Sequence, residues 1–263
     1  MKKIGAFFDI DGTLARESML IQHFKRLIKY GIIDESEWFN RIRPLYREYD
    51  RRYAEYDDYL DEVADVYKEY ITGLDKAIID FTAKQVVEEY ADVVYQATRN
   101  RIQNHMKKGH LTFFVSGSPD FLVSKLAEKY GVTDYRATVY ETDEKNRFTG
   151  RITPMWDSDS KSKVLKAIEN DYQIDMEESY AYGDTNGDYS MLKLTGKPTA
   201  INPSYRLWKL IEEDQELSKK IVILVERKDV IYKLSGDTTI KYSMSNPYLP
   251  KQDKMGDDDW ELK

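Results

Sequence analysis

The stretch Ile4-Gly5-Ala6-Phe7-Phe8-Asp9-Ile10-Asp11-Gly12-Thr13 decides how the chain is read. Residues 3–8 form a short apolar run that stops at an acid, the pattern of a buried strand with polar groups at its carboxyl end. Residues two apart in extended backbone share a face, so Asp9 and Asp11 aim at one point. Two such carboxylates repel unless a cation lies between or beside them. Mg2+, which takes oxygen ligands and keeps waters, suits that role. Taken alone, the stretch is equally well a strand ending in an acidic turn. A calcium loop is excluded, because Leu14 stands where that loop needs glycine and Leu20 where it needs glutamate.

The next buried-strand pattern is Leu111–Val115, and the sequence between is helical in period and rich in tyrosine. Leu20, Phe24, Leu27 and Ile28 fall on one helical face. Trp38, Ile42, Leu45 and Tyr49 form a second stripe, in which Pro44 predicts a kink or break. Leu60, Val63, Tyr67 and Ile71 form a third. A fourth starts at Val86 and Val87, runs through Tyr90, Val93, Val94 and Ala97, and extends toward Met106. Gly31, Gly73 and Gly109 mark helix ends.

After Gly109 strands and helices alternate. Strands are expected at Leu111–Val115, Ser179–Tyr182, Thr199–Ile201 and Ile221–Val225, and a hairpin joins Tyr135–Tyr140 to Phe148–Ile152. Helices are expected at Asp120–Tyr130, Lys161–Asn170 and Tyr189–Leu194. A terminal hairpin of Val230–Leu234 with Thr239–Tyr242 is expected about Gly236-Asp237. This alternation predicts an α/β fold, a Rossmann-like parallel sheet core covered on both faces, with the earlier helical stretch as an inserted cap domain. The expected boundaries are 1–16 and 91–234 for the core, 17–90 for the helical cap, and 235–263 for a loose C-terminal extension.

Bulk properties narrow the function. The chain has 263 residues, long enough for one large domain or a domain plus an insertion. Its net charge of -7 argues against general binding to nucleic acid or an anionic membrane. It has no cysteine, which excludes disulfides, thiolate metal sites and a cysteine nucleophile. The apolar run before Asp9 is too short for a secretory signal, and no stretch approaches the ~18 apolar residues of a membrane helix. A cytoplasmic protein, monomeric or homodimeric, is expected.

Three more clusters follow expected strands, and ligands of open parallel sheets bind at the carboxyl ends of strands. Ser116-Gly117-Ser118-Pro119 offers a hydroxyl and flexible backbone to phosphate oxygens, or simply caps a helix. Lys161, with Lys163 nearby, offers a point cation, or simply a solvated helix face. Gly183-Asp184-Thr185-Asn186-Gly187-Asp188 carries two acids four apart on a glycine-permitted loop.

This order, and the strings Phe-Phe-Asp-Ile-Asp-Gly-Thr-Leu at 7–14, Val-Ser-Gly-Ser-Pro-Asp-Phe-Leu-Val at 115–123, Tyr-Gly-Asp-Thr-Asn-Gly-Asp at 182–188 and Ala-Ile-Asn-Pro at 200–203, resemble the haloacid dehalogenase superfamily of phosphohydrolases. Within it the chain looks like the phosphoserine phosphatase-like branch, whose helical cap follows the first motif. The likeness spans roughly residues 3–210. It implies a Mg2+-dependent phosphatase acting on a small phosphorylated metabolite through an aspartyl-phosphate. Phosphotransfer by the same chemistry and a non-catalytic phosphometabolite-binding regulator are the alternatives.

Carried over by position, the resemblance implies Asp9 as nucleophile and metal ligand, and Asp11 as general acid and base, reaching the metal through its carbonyl. Thr13, Ser116, Gly117 and Lys161 would bind phosphate. Asp184 would ligate the metal, and Asp188 would support the metal or the lysine. Lys161 is preferred to Lys163 because Val164 and Leu165 then match the branch's apolar helix positions. Arg16 and Glu17, nearest the first motif, are substrate-contact candidates. Two departures stand out: Gly187 occupies the place of the branch's asparagine, and Ser18 the place of the glutamate that meets a substrate amino group.

Overall fold

A computed structural model describes residues 2–240. After β1 (Gly5–Phe8) come α1 (Met19–Lys29), α2 (Glu35–Glu37), a π-helical turn at Trp38–Ile42, α3 (Arg43–Asp50), α4 (Tyr56–Ile71), α5 (Lys76–Tyr90) and α6 (Gln96–Lys107). The chain continues through β2 (Leu111–Pro119), α7 (Asp120–Tyr130), β3 (Asp134–Thr142), β4 (Phe148–Thr153) and α8 (Ser158–Tyr172). Then follow β5 (Tyr180–Gly183), a 3-10 turn at Asn186–Asp188, α9 (Tyr189–Leu194), β6 (Lys197–Ile201), α10 (Tyr205–Glu213), α11 (Gln215–Lys220), β7 (Val222–Arg227) and β8 (Val230–Ser235).

One eight-stranded sheet runs β4-β3-β2-β1-β5-β6-β7-β8. Its six central strands are parallel, and β4 and β8 close the edges antiparallel. Alternate side chains of β1 separate the two cores, as the pleat requires. Phe7 packs with Phe113, Leu165, Met191, Leu207 and Trp208 on one face. Ala6 and Phe8 lie on the other with Phe114, Tyr182 and the buried residues of α1, α4, α5 and α7. Phe8 stacks on Tyr182 with ring centroids 4.4 Å apart, so the central strands carry aromatic packing beyond their backbone ladder.

The helical stretch is joined to the sheet at several points. Gly73 N–H donates to Phe148 O (2.7 Å) and Lys76 N–H to Asn146 O (2.8 Å), clipping the α4–α5 turn to the β3–β4 hairpin. Arg206 at the start of α10 pairs with Glu55 and with Asp57 (3.0 Å) beside the start of α4.

Three expectations are corrected. Pro44 makes no break: helical backbone runs from Glu35 to Asp50, with the π-helical turn at Trp38–Ile42 placed just before the proline. The fourth helical stripe divides into α5 and α6. The chain turns between them because Arg16 N–H bonds Val93 O (3.2 Å) and Tyr95 N–H bonds Leu14 O (2.9 Å). The hairpin partner of β8 is β7, through a turn in which Lys228 takes a positive φ of 55°. The expected strand Thr239–Tyr242 falls partly outside the described residues. The helices α10 and α11 were not anticipated, being short and started by the Ser204 and Asp214 caps rather than by a long apolar period.

Candidate active site

Phe8 pairs in register with Phe114 on β2 and with Tyr182 on β5. Three strand ends therefore lie level, and the residues after them meet above the sheet. Asp9 N–H donates to Tyr182 O (2.9 Å), fixing the first acid over the β5 end. Gly12 takes a positive φ of 85°, which brings its backbone against Asp184: a Cβ there would stand 2.1 Å from Asp184 Oδ2. Thr13 Oγ1 donates to Asp184 Oδ1 (2.8 Å), tying the two acidic loops together.

Lys161 is brought to this point by α8. Asp157 caps that helix, accepting from Ser160 N–H (2.8 Å), and Lys161 then shares the buried face of Leu165 and Ile168. The residue is 2% exposed, and its ammonium donates to Asp9 Oδ1 (2.6 Å) and Asp188 Oδ1 (2.5 Å). Lys163 is exposed. Asp188 Oδ2 accepts from the backbone N–H groups of Asp184 and Thr185, both at 3.0 Å. Both Asp188 oxygens are thus engaged in holding the lysine and the loop. Asp9 Oδ2 accepts no hydrogen bond from the described residues.

Burial dominates the electrostatics. It pushes the Asp9 carboxyl up to about 8, against the opposing pull of Lys161. Burial likewise raises Asp11 and carries Asp184 well above the carboxylate range, the latter helped by Asp9 and Asp188. Burial alone would lower Lys161, but the Asp188 and Asp9 carboxylates outweigh it and keep the ammonium protonated. A cluster of acids this short of positive charge fits a divalent cation. Asp9, Asp184 and Asp188 each have a carboxylate oxygen within 4.8 Å of the others'. An all-oxygen donor set suits Mg2+.

Asp11 points elsewhere. Its Oδ1 accepts from Met19 N–H (2.9 Å), and its Oδ2 from Ser118 Oγ (2.5 Å) and Ser18 Oγ (3.4 Å). Ser116 is buried on the same β2 extension, its Oγ accepting from Ser118 N–H (3.1 Å). Gly117 and Gly187 are both pressed against Trp156. A Cβ at Gly117 would stand 2.9 Å from Trp156 Cβ, and one at Gly187 2.3 Å from Trp156 O. The Trp156 backbone therefore fills the place an asparagine at 187 would need, which accounts for that departure.

Arg16 and Glu17 are exposed and bonded away from the acids. The Arg16 guanidinium lies 5.7 Å from the Tyr95 ring centre, in a cavity of about 400 Å³ with Val93, Gln96 and Glu226. Glu17 pairs with Gln22 and Lys25. Other polar residues of the helical segment are structural in their contacts: His23 bonds Tyr67 and Thr82 (both 2.7 Å), Arg41 bonds Glu62 and Glu69, and Arg43 lies over Phe39. Besides Tyr95, whose hydroxyl is pushed up by burial and then by the Asp184 charge, a second tyrosine that feels the site is Tyr56. Burial, then the Asp11 charge, raises its hydroxyl well above the phenol range. Sequence reasoning missed Ser118, Trp156 and Tyr56. Only the hydroxyl two residues after Ser116 gave any signal.

In sequence and in fold the chain is similar to known hydrolases. The family model described as haloacid dehalogenase-like hydrolase matches residues 6–193. A histidinol-phosphatase of Neisseria meningitidis is 24% identical over 216 residues, covering 79% of this chain and 94% of that protein. A phosphoserine phosphatase of Mycobacterium tuberculosis is 27% identical over 214 residues, covering 79% and 68%. A solved substrate-bound phosphoserine phosphatase shares the fold, with a TM-score of 0.55 and 19% identity over 80% of this chain and 90% of that one. Among the described residues no helix is long and apolar enough to cross a membrane.

Proposed function

The chain belongs to the haloacid dehalogenase-like hydrolase family and is a phosphatase, and from that premise we propose that it hydrolyses a small phosphorylated metabolite with Asp9 as nucleophile. The observation that carries the reading is the state of Asp9. It sits at the end of β1, one oxygen held by the Lys161 ammonium and the other free of hydrogen bonds from the described residues. A carboxylate so held presents a single oxygen along a fixed line.

In the first step Asp9 Oδ2 bonds to phosphorus as the bond from phosphorus to the leaving oxygen breaks. The bonding pair goes to that oxygen, which takes the proton of the Asp11 carboxyl and departs as an alcohol. In the second step the Asp11 carboxylate takes a proton from water. The water oxygen bonds to phosphorus, and Asp9 is released with inorganic phosphate. Ser116, Gly117 and Thr13 line the phosphoryl position, and Lys161 offsets its charge. Asp188 holds Lys161. Asp9, the Asp11 carbonyl and Asp184 would hold Mg2+, which when bound neutralises charge on the phosphate oxygens.

Residues 17–90 form the proposed cap: its Ser18 and Met19 bond Asp11, and the Asp11 and Asp184 charges reach the hydroxyl of its Tyr56. The test is phosphate release from p-nitrophenyl phosphate, with and without Mg2+. A screen of phosphorylated amino acids, amino alcohols, sugars and nucleotides follows, starting with the two compounds in the relatives' names, phosphoserine and histidinol phosphate. Asp9→Asn is expected to keep the fold and lose turnover. Turnover at the wild-type rate in Asp9→Asn would remove the nucleophile.

A further inference from the structure

The Asp11 carboxyl is gripped from two sides. Ser18 and Met19, at the start of α1, belong to the helical segment. Ser118 belongs to β2 of the sheet, and its 2.5 Å bond is much the shorter of the two hydroxyl contacts on Oδ2, Ser18 lying at the outer limit of a hydrogen bond. Ser118 is itself 3% exposed, and its N–H is anchored on Ser116 Oγ, the hydroxyl that would line the phosphoryl position. Ser118 thus fixes Asp11 relative to the very backbone that would hold phosphate.

We propose that Ser118 is a positioning residue, which sets the Asp11 carboxyl for proton delivery to the leaving oxygen. The inference rests on the reading of Asp11 as the general acid. Two physical points carry it. With only the Met19 N–H on Oδ1, the carboxyl turns about that one bond, and Ser118 supplies the second point that stops the turning. The Ser118 hydroxyl donates to Oδ2, which accepts it both in the carboxylate and in the acid whose proton is carried on Oδ1. It therefore keeps its hold as the proton leaves Asp11 for the alcohol oxygen and returns from water.

The test compares leaving groups in the full-length Mg2+-loaded enzyme. The ratio kcat/KM covers the steps through departure of the alcohol. Phenyl phosphate needs its leaving oxygen protonated far more than p-nitrophenyl phosphate, which has nearly the same shape. Ser118→Ala is expected to lose about tenfold or more in kcat/KM on phenyl phosphate, a fraction of what a general acid supplies, and much less on p-nitrophenyl phosphate. Ser118→Thr, which keeps the hydroxyl, is expected to restore the phenyl phosphate rate. Equal losses on both substrates, with circular dichroism unchanged, would overturn the proposal. Asp11→Asn separates the two claims. If it too leaves the preference between substrates unaltered, the acid assignment fails; if it changes the preference while Ser118→Ala does not, only the positioning role fails.

Discussion

Replacing Lys161 with methionine would remove the ammonium while keeping most of the side chain's length. In the native protein that ammonium lies 2.6 Å from Asp9 and 2.5 Å from Asp188, with all three groups buried. Its loss leaves two carboxylates facing each other without a counter-charge. Breaking a buried pair from one side costs about 3–5 kcal/mol. At roughly 3 °C per kcal/mol for a chain of this size, the melting temperature falls by about 10 °C. The loss is capped because Asp9, already pushed up to about 8 by burial, escapes by taking a proton. Without Lys161 its folded value rises further, so the variant is less destabilised below that value than above it. Thermal melts in metal-free buffer at acid and alkaline pH measure both effects, and Asp188→Asn added to Lys161→Met is expected to recover about half the loss. A single variant melting within about 2 °C of wild type across that range would refute the picture of a buried cation shared by two acids.

Gly12→Ala meets both a positive φ and the 2.1 Å approach to Asp184, so about 1–2 kcal/mol of backbone strain adds to displacement of that acid. Activity is expected to fall with the melting temperature, and an active, equally stable Gly12→Ala would show that the close approach is dispensable. Burial pushes His23 down to about 3 and His105 down to about 4, from an ordinary 6.5. Below pH 6.5 the unfolded chain therefore binds protons that the folded one refuses, and stability is lost as pH falls toward 4. At pH 5 this amounts to at most about 2 kcal/mol for each histidine. The raised Asp9, Asp11 and Asp184 act in the opposite sense. Urea midpoints at pH 8 and pH 5 should therefore be compared between wild type and His23→Gln, whose loss on acidification is expected to be smaller; an identical loss would contradict a buried neutral imidazole.

What could be read beforehand follows the range of the signal. The acids after β1 and β5 could be placed because a buried parallel strand is a nearly continuous apolar run with a sharp polar end. Lys161 is told from Lys163 by the resemblance, which matches Val164 and Leu165 to apolar helix positions, and the structure buries Lys161 one turn before Leu165. The α5–α6 break could not be placed, because Val93 and Val94 continue the apolar period while their backbone turns to meet residues 14–16. Ser118 was opaque for a different cause. Its partner Asp11 lies 107 residues away, and no local pattern tells a serine that grips an acid from one that ends a strand.

The position of β1 carries a consequence for how the molecule is born. The strand that emerges first is central, and its neighbours β2 and β5 are synthesised about a hundred or more residues later. Closing loops of that length is entropically slow, and nothing local rewards the wait. Charge adds a second check. Among the described residues Asp9 has no buried counter-ion until α8 delivers Lys161, so β1 and β2 closing together without that helix trap a bare carboxylate. The same ammonium that would serve the chemistry thus also proofreads assembly, and an amino-terminal fragment lacking α8 should stay open rather than collapse into a half-made site.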